Sequence, residues 1–438
     1  MSEAKSSLSS RDAKVVWHPF TQHQTAATPL AVRSAKGAEL VLDDGRVVID
    51  AISSWWTSLH GHGHPEIVAA IAEQAKTLDH VIYAGCTHEP AVEVAEGLIS
   101  VTGLTGGRVF FSDNGSTAVE VALKACIQHW QNVGQSERCE FITLQDAYHG
   151  DTVGAMSAGD PGDFGRPFKK LLFPTHRVDL PTLHDPPEQS ARKRALIAEK
   201  IVELGPRLAA VIFEPMVQGA GGMRMTTPET LTWLVRAVRA AGGWVIADEV
   251  MTGFGRTGRL FAWQHQSEAP DVICCAKGLT GGTLPLSATV FRKGIFEAFL
   301  GPNKETAFLH GHSFTANPIA CAAACASLQI IQRPDFAQQL ARVEALTKAQ
   351  IERLRSHRSV KRTRQAGTIG VIELVGGAGY FAAQQADLGA VAISHGVLLR
   401  PLGALLYTMP PLAVTEEQIE HIYLAVEACL DEWAALQL

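Results

Sequence analysis

The chain has 438 residues, 46% of them hydrophobic and 19% charged, enough apolar material for a large core in two or more lobes. Net charge is −6, from 38 Lys and Arg against 44 Asp and Glu, so no broad cationic field exists to hold a nucleic-acid backbone or an anionic membrane. Eight scattered cysteines without an export signal read as buried thiols and not as a disulfide framework.

At the amino end, Met1 to Lys14 is rich in Ser and charge and lacks the apolar stretch of a secretory signal, which predicts a cytoplasmic protein. Glu39-Leu40-Val41-Leu42, then Asp43-Asp44-Gly45-Arg46, then Val47-Val48-Ile49 is a hairpin signature. His60-Gly61-His62-Gly63-His64-Pro65 is Gly-punctuated, which suits a turn entering a helix better than converging metal ligands. No metal is expected there or at His310-Gly311-His312.

Four short apolar runs follow: Val109-Phe110-Phe111, Val211-Ile212-Phe213, Trp244-Val245-Ile246-Ala247 and Val272-Ile273-Cys274-Cys275. Runs this continuous suit parallel strands buried on both faces, and helical patterns at Thr117 to Gln131 and Pro228 to Ala241 alternate with them. The prediction is an α/β fold with a mainly parallel central sheet flanked by helices. Asp185 to Ser190 reads as a polar loop, and Pro318 to Ile331, with Ser327 and Gln329, as a buried helix too short to span a bilayer. Past Pro334 come an amphipathic helix, Phe336 to Arg355, and strand-like segments at Ile369 to Leu374 and Val397 to Arg400. These suggest a large domain over 53–333 and a smaller α+β lobe built from 1–52 and 334–438.

Ligands of such sheets collect beyond the carboxyl ends of the strands, where Ser112-Asp113-Asn114-Gly115-Ser116, Glu214, Asp248 and Lys277 all fall. Gly115 and Ser116 open a helix, so their N–H groups and hydroxyl suit a phosphate. Gly253-Phe254-Gly255-Arg256-Thr257-Gly258 matches the dinucleotide pattern G-x-G-x-x-G, but no convincing helix with a ribose-binding acid about 20 residues on follows it. Tyr148, beside Gly150, offers an aromatic face to a planar ring. Pyridoxal 5'-phosphate requires an acid for its ring nitrogen and an amine for a Schiff base, a need Asp248 and Lys277 could meet together, although either alone would read as a solvated charge at a strand end.

Together these residues resemble the class III aminotransferases, which have the type I pyridoxal-phosphate transferase fold. The resemblance is carried by Ala247 to Gly258 and by Ala276-Lys277-Gly278-Leu279-Thr280-Gly281-Gly282, and it extends from about Trp17 to the carboxyl end. Within the class, Trp17-His18-Pro19-Phe20-Thr21, Ser53-Ser54-Trp55-Trp56, Tyr148 to Thr152, Gln218 to Met225, Leu286 to Thr289 and Arg400 to Gly403 are most similar to the biotin-pathway branch that aminates 8-amino-7-oxononanoate.

The likeness implies that Lys277 carries the Schiff base, Asp248 pairs with the ring nitrogen, Tyr148 covers the ring, and Gly115 and Ser116 take the phosphate. Ser313 would reach the phosphate of a partner subunit, with Gly311 in the same shared segment of a homodimer. Trp55, Asp151, Arg256 and Arg400 would meet substrate, Arg400 through a carboxylate. Phe20 stands where the branch usually has the tyrosine of W-H-P-Y-T, removing a hydroxyl from the substrate pocket. Adenosylmethionine is the implied donor, while lysine as donor, or another amine and ketone pair of the class, stays open.

Overall fold

The computed structural model describes residues 7–160, 162–377 and 387–436, so the first six residues of the Met1 to Lys14 segment lie outside it. Seven strands form the central sheet, in the order Arg108–Ser112, Ser287–Phe291, Val272–Cys275, Trp244–Asp248, Leu208–Phe213, Glu140–Leu144, His176–Val178. Pairings from Val272–Cys275 outward to His176–Val178 are parallel. Only Ser287–Phe291 runs antiparallel to its neighbours. Leu208–Phe213, Trp244–Asp248 and Val272–Cys275 are buried along their whole length, as strands covered on both faces must be.

The helices flanking this sheet start where local chemistry dictates. Gly115–Asn132 opens with a reciprocal box in which the Asn114 side chain accepts from Thr117 N and the Thr117 hydroxyl accepts from Asn114 N. Pro228–Ala240 is capped by Thr227. One helix departs from the sequence reading: Pro187–Leu204 begins inside the segment expected to be a polar loop. Proline lacks only an N–H that the first helical turn does not use, and Ile197, Ile201 and Leu204 supply the buried stripe.

Both ends of the chain meet in a smaller sheet. The hairpin pairs Leu40 with Val48, and Ile49 then pairs in parallel with Val397. A third sheet joins Val360–Ala366, Ile369–Leu374 and Leu405–Thr408. One apolar cluster runs from Ile49 and Trp56 through Leu279 to Ile372, Tyr407 and Val426, fastening this part to the Lys277 side of the central sheet. Pro318–Ile331 is a buried helix, and among the described residues no helix is long and apolar enough to cross a membrane. All eight cysteines are free, but Cys86 and Cys139 are exposed where buried thiols were expected, because each lies outside the packed elements.

Candidate active site

Asp248 is the last residue of Trp244–Asp248 and is 4% exposed. Its Oδ2 lies 2.6 Å from His149 Nδ1, and its Oδ1 accepts from Val250 N at 3.1 Å. Two rigid partners thus hold the carboxylate. His149 is buried, and its other nitrogen, Nε2, has no hydrogen-bond partner among the described residues.

Lys277 opens a 3₁₀ turn, Lys277–Thr280, separated from the strand Val272–Cys275 only by Ala276, with a positive φ of 50°. Ser327 Oγ donates to the Gly278 carbonyl at 3.1 Å and lies 2.9 Å from His60 Nε2, so the turn is braced from behind by the helix Pro318–Ile331. Burial lowers the Lys277 pKa from 10.5 to about 8, against the opposing pull of the Asp248 and Glu214 carboxylates. Its Nζ rests 4.6 Å from the centre of the Trp56 ring. A lysine held this way keeps a sizeable neutral fraction near neutral pH.

Glu214 lies close by, its pKa raised to about 7 by burial, with the Asp248 charge adding to the rise and His149 opposing it. Its two oxygens accept from Tyr148 N at 3.0 Å and Gly219 N at 2.8 Å. Tyr148 is 37% exposed, and its hydroxyl donates to Asp151 Oδ2 at 3.0 Å, tying the ring to the exposed Asp151. At the helix start, Ser116 Oγ accepts from Asp151 N at 3.2 Å. A Cβ on Gly150 would stand 1.9 Å from that oxygen, and one on Gly115 would stand 2.6 Å from Val250 Cγ1. Both glycines are needed for the backbone to close this far around the helix N-terminus.

The mouth is aromatic and cationic. Arg400 stacks its guanidinium 4.5 Å from the Trp55 ring centre, and Phe20 meets the same ring edge-on at 5.5 Å. Trp55 belongs to Ser53–Trp56, four consecutive residues with positive φ and none of them glycine. Such a turn costs roughly 1–2 kcal/mol per residue, so it must be anchored by its surroundings. Of the two adjacent tryptophans, Trp55 faces the mouth and Trp56 is 5% exposed under Lys277, its Nε1 donating to Tyr407 Oη at 3.0 Å.

Other expected residues sit elsewhere. Arg256 is 2% exposed and donates to the carbonyls of Pro410 at 3.0 Å and Ser58 at 3.1 Å, so its fork holds backbone. Gly311 and Ser313 lie on an exposed segment beside Leu309 and Phe314, with Lys124 Nζ 2.9 Å from His310 Nδ1. The motif Gly253 to Gly258 is a buried turn with Phe254 packed on Phe261, and the short turn Ala262–His265 follows in place of a long helix. His60 and His62 point to Ser327 and Asp50, and among the described residues no three His, Cys, Asp or Glu side chains form a metal-sized group. The sequence reading missed the partnership of His149 with Asp248, for which adjacency to Tyr148 was the only signal.

This constellation fits pyridoxal phosphate. It offers an amine with lowered basicity, an acid on rigid partners, a helix N-terminus closed by two obligatory glycines, and a buried imidazole with one nitrogen unpartnered among the described residues.

The family model for aminotransferase class-III matches residues 20–430. The adenosylmethionine-8-amino-7-oxononanoate aminotransferase of Synechococcus elongatus is 49% identical over 424 residues, covering 95% of this chain and 98% of that one. A crystal structure of adenosylmethionine-8-amino-7-oxononanoate aminotransferase from Methanocaldococcus jannaschii superposes with a TM-score of 0.89 at 31% identity, covering 96% of this chain and 98% of its own. An amine transaminase from an uncultivated Pseudomonas species, in its PLP-bound form, does so at 0.88 and 32%, covering 95% and 98%.

Proposed function

This chain belongs to the class III aminotransferases, and from that premise we propose that it uses pyridoxal 5'-phosphate to convert 8-amino-7-oxononanoate to 7,8-diaminononanoate in biotin biosynthesis, with S-adenosyl-L-methionine as amino donor. The observation that carries the reading is the partly buried Lys277, its pKa lowered to about 8 by desolvation against the pull of the Asp248 carboxylate, at the same carboxyl edge of the sheet as Asp248.

When bound, pyridoxal phosphate supplies an aldehyde for amine capture and a ring that draws electrons from the carbon bearing nitrogen. Lys277 Nζ would tether the cofactor, and as a free amine it would accept and return the proton at the reacting carbon. Asp248, immobilised by His149 and Val250, keeps a positive ring nitrogen favourable. Gly115 and Ser116 would hold the phosphate, and Tyr148 would cover the ring. Arg400 engages the ketone's distal carboxylate with its planar fork, with Trp55 and Phe20 walling the aliphatic chain and Asp151 at the mouth. Arg256 acts one layer deeper, through the Ser58 and Pro410 carbonyls.

The reading includes a homodimer in which Gly311 and Ser313 serve the partner's site. Its support is the exposed apolar pair on that segment, Leu309 at 74% and Phe314 at 63%. It also includes a cytoplasmic setting, supported by eight free cysteines. Phe20 favours a second reading with lysine as donor, because the ring that meets Trp55 carries no hydroxyl.

Purified protein is given the ketone with adenosylmethionine or with lysine, and diaminononanoate is followed by mass spectrometry. Product with adenosylmethionine is expected. Product with lysine alone replaces the donor, and product from neither, or from Lys277→Ala, overturns the assignment.

A further inference from the structure

Ser53, Ser54, Trp55 and Trp56 have φ of 50°, 46°, 79° and 72°, a full left-handed turn made of L-residues. Its unusual feature is what it does with consecutive side chains. Trp56 lies against Lys277 Nζ at 4.6 Å, and Trp55 lies against the Arg400 guanidinium at 4.5 Å. One strained turn therefore sets the surroundings of both the reacting amine and the mouth arginine.

The main anchor of the turn is Asp50, which is wholly buried. Its Oδ1 accepts from Ile52 N at 3.2 Å and Ser54 N at 2.9 Å. Its Oδ2 accepts from the Ser54 hydroxyl at 2.7 Å and lies 2.9 Å from His62 Nε2. His62 is itself fixed, because its backbone exchanges two hydrogen bonds with Gly37 at 2.9 and 2.8 Å. On the other side, Ser53 Oγ donates to the Met409 carbonyl at 2.7 Å, and Gly282, from the Lys277 loop, approaches so closely that a Cβ there would stand 2.3 Å from Thr57 O.

We infer that Asp50, with His62 behind it, is a positioning residue for transamination: its carboxylate holds the left-handed turn that aims Trp56 at Lys277 and Trp55 at Arg400. The inference rests on the proposed function for what the two tryptophans serve, and on geometry alone for what holds them. The carboxylate meets this set with both oxygens, Oδ1 taking the two backbone N–H groups and Oδ2 the Ser54 hydroxyl with the His62 nitrogen beside it, each as a charge-assisted bond. An amide at position 50 keeps one accepting oxygen for the two N–H groups but replaces charge-assisted bonds by weaker neutral ones, which loosens the hold on a turn that lies in a disfavoured region. Relaxation moves both tryptophans together, which a residue serving only fold stability has no reason to do.

The test compares Asp50→Asn, Ser54→Ala and His62→Gln with the parent protein. Near-ultraviolet circular dichroism of the purified proteins reports tryptophan packing without reference to any reaction. Steady-state kinetics with the ketone report function, and melting temperature reports stability. We expect Asp50→Asn to weaken the near-ultraviolet signal with the far-ultraviolet spectrum retained. Its kcat/KM for the ketone should fall about tenfold, through a raised KM and a lowered kcat together. Ser54→Ala, which leaves the carboxylate in place, should move the same quantities in the same direction by about threefold.

A lowered melting temperature with KM, kcat and near-ultraviolet spectrum unchanged overturns the inference. Should Asp50→Asn not fold, Ser54→Ala and His62→Gln decide the matter by the same criteria. If the parent protein does not aminate the ketone, the proposed function fails by itself. The spectra then still judge the turn, an unaltered signal in the variants overturning it.

Discussion

His149 Nδ1 and Asp248 Oδ2 are 2.6 Å apart, both side chains buried, and they come from positions 99 residues apart in the chain. The contact leaves the Asp248 carboxylate with one side-chain and one backbone partner at the end of a central strand. Orientation of that carboxylate is what a ring nitrogen would feel, so the imidazole contributes without touching the reacting carbon.

His149→Phe keeps a planar ring at this buried position and removes the bond. We expect kcat to fall about 10–100-fold while KM for the ketone changes little, as measured by initial rates. His149→Gln, whose amide can reach Asp248, should recover part of the loss. Equal rates for parent and His149→Phe would remove the imidazole from the mechanism.

Lys277 titrates at about 8 in the folded chain against an ordinary 10.5. Between those values the unfolded state binds more protons, so in the cofactor-free protein this group makes stability rise with pH from about 8 toward 10.5. Below pH 8 the penalty for a buried ammonium is fully present. Lys277→Met should accordingly be the more stable form at pH 7, by on the order of 3 kcal/mol, with the difference fading toward pH 10.5. Urea titrations at pH 7 and pH 10 check this, and a pH-independent difference would refute it.

Gly150→Ala places a methyl group 1.9 Å from Ser116 Oγ, at a backbone φ of +125° that alanine avoids. The helix start must open to admit it. Pyridoxal phosphate added to the cofactor-free variant should bind at least about tenfold more weakly, read from the visible absorbance on titration. Parent-like affinity would show that this closure does not shape the phosphate end.

Phe20→Tyr adds a hydroxyl beside Trp55, at the ring that now meets it edge-on at 5.5 Å. One hydrogen-bonding group is worth roughly 0.5–1.5 kcal/mol, so the ratio of kcat/KM for adenosylmethionine over lysine should move about 2–10-fold with cofactor binding intact. An unmoved ratio in competition assays would detach donor choice from this position.

Much of this architecture was legible from pattern. Val211 to Phe213, Trp244 to Ala247 and Val272 to Cys275 are continuous apolar runs because their strands are covered on both faces, and Asp248 and Lys277 follow them because strand ends are where polar groups surface. The helix Pro187–Leu204 was hidden because prolines at its start carry the local signature of a loop. Arg256 illustrates the opposite limit. A motif arginine looks like a ligand-binding fork until packing shows its donors turned to Ser58 and Pro410.

Residue order alone determined the alternation of strand and helix, the placement of Gly115, Asp248 and Lys277 along one edge, and the chemistry those residue types support. Those features depend on neighbours within a few positions, where periodicity and capping act. Tertiary structure decided which side chains face one another: His149 with Asp248, Trp56 with Lys277, Asp50 with Ser54 and His62. Three of these contacts join separate segments, and even Asp50 to Ser54 depends on a left-handed turn held in place by Met409 and Gly282. Local preference opposes that turn, so only the packed chain can maintain it.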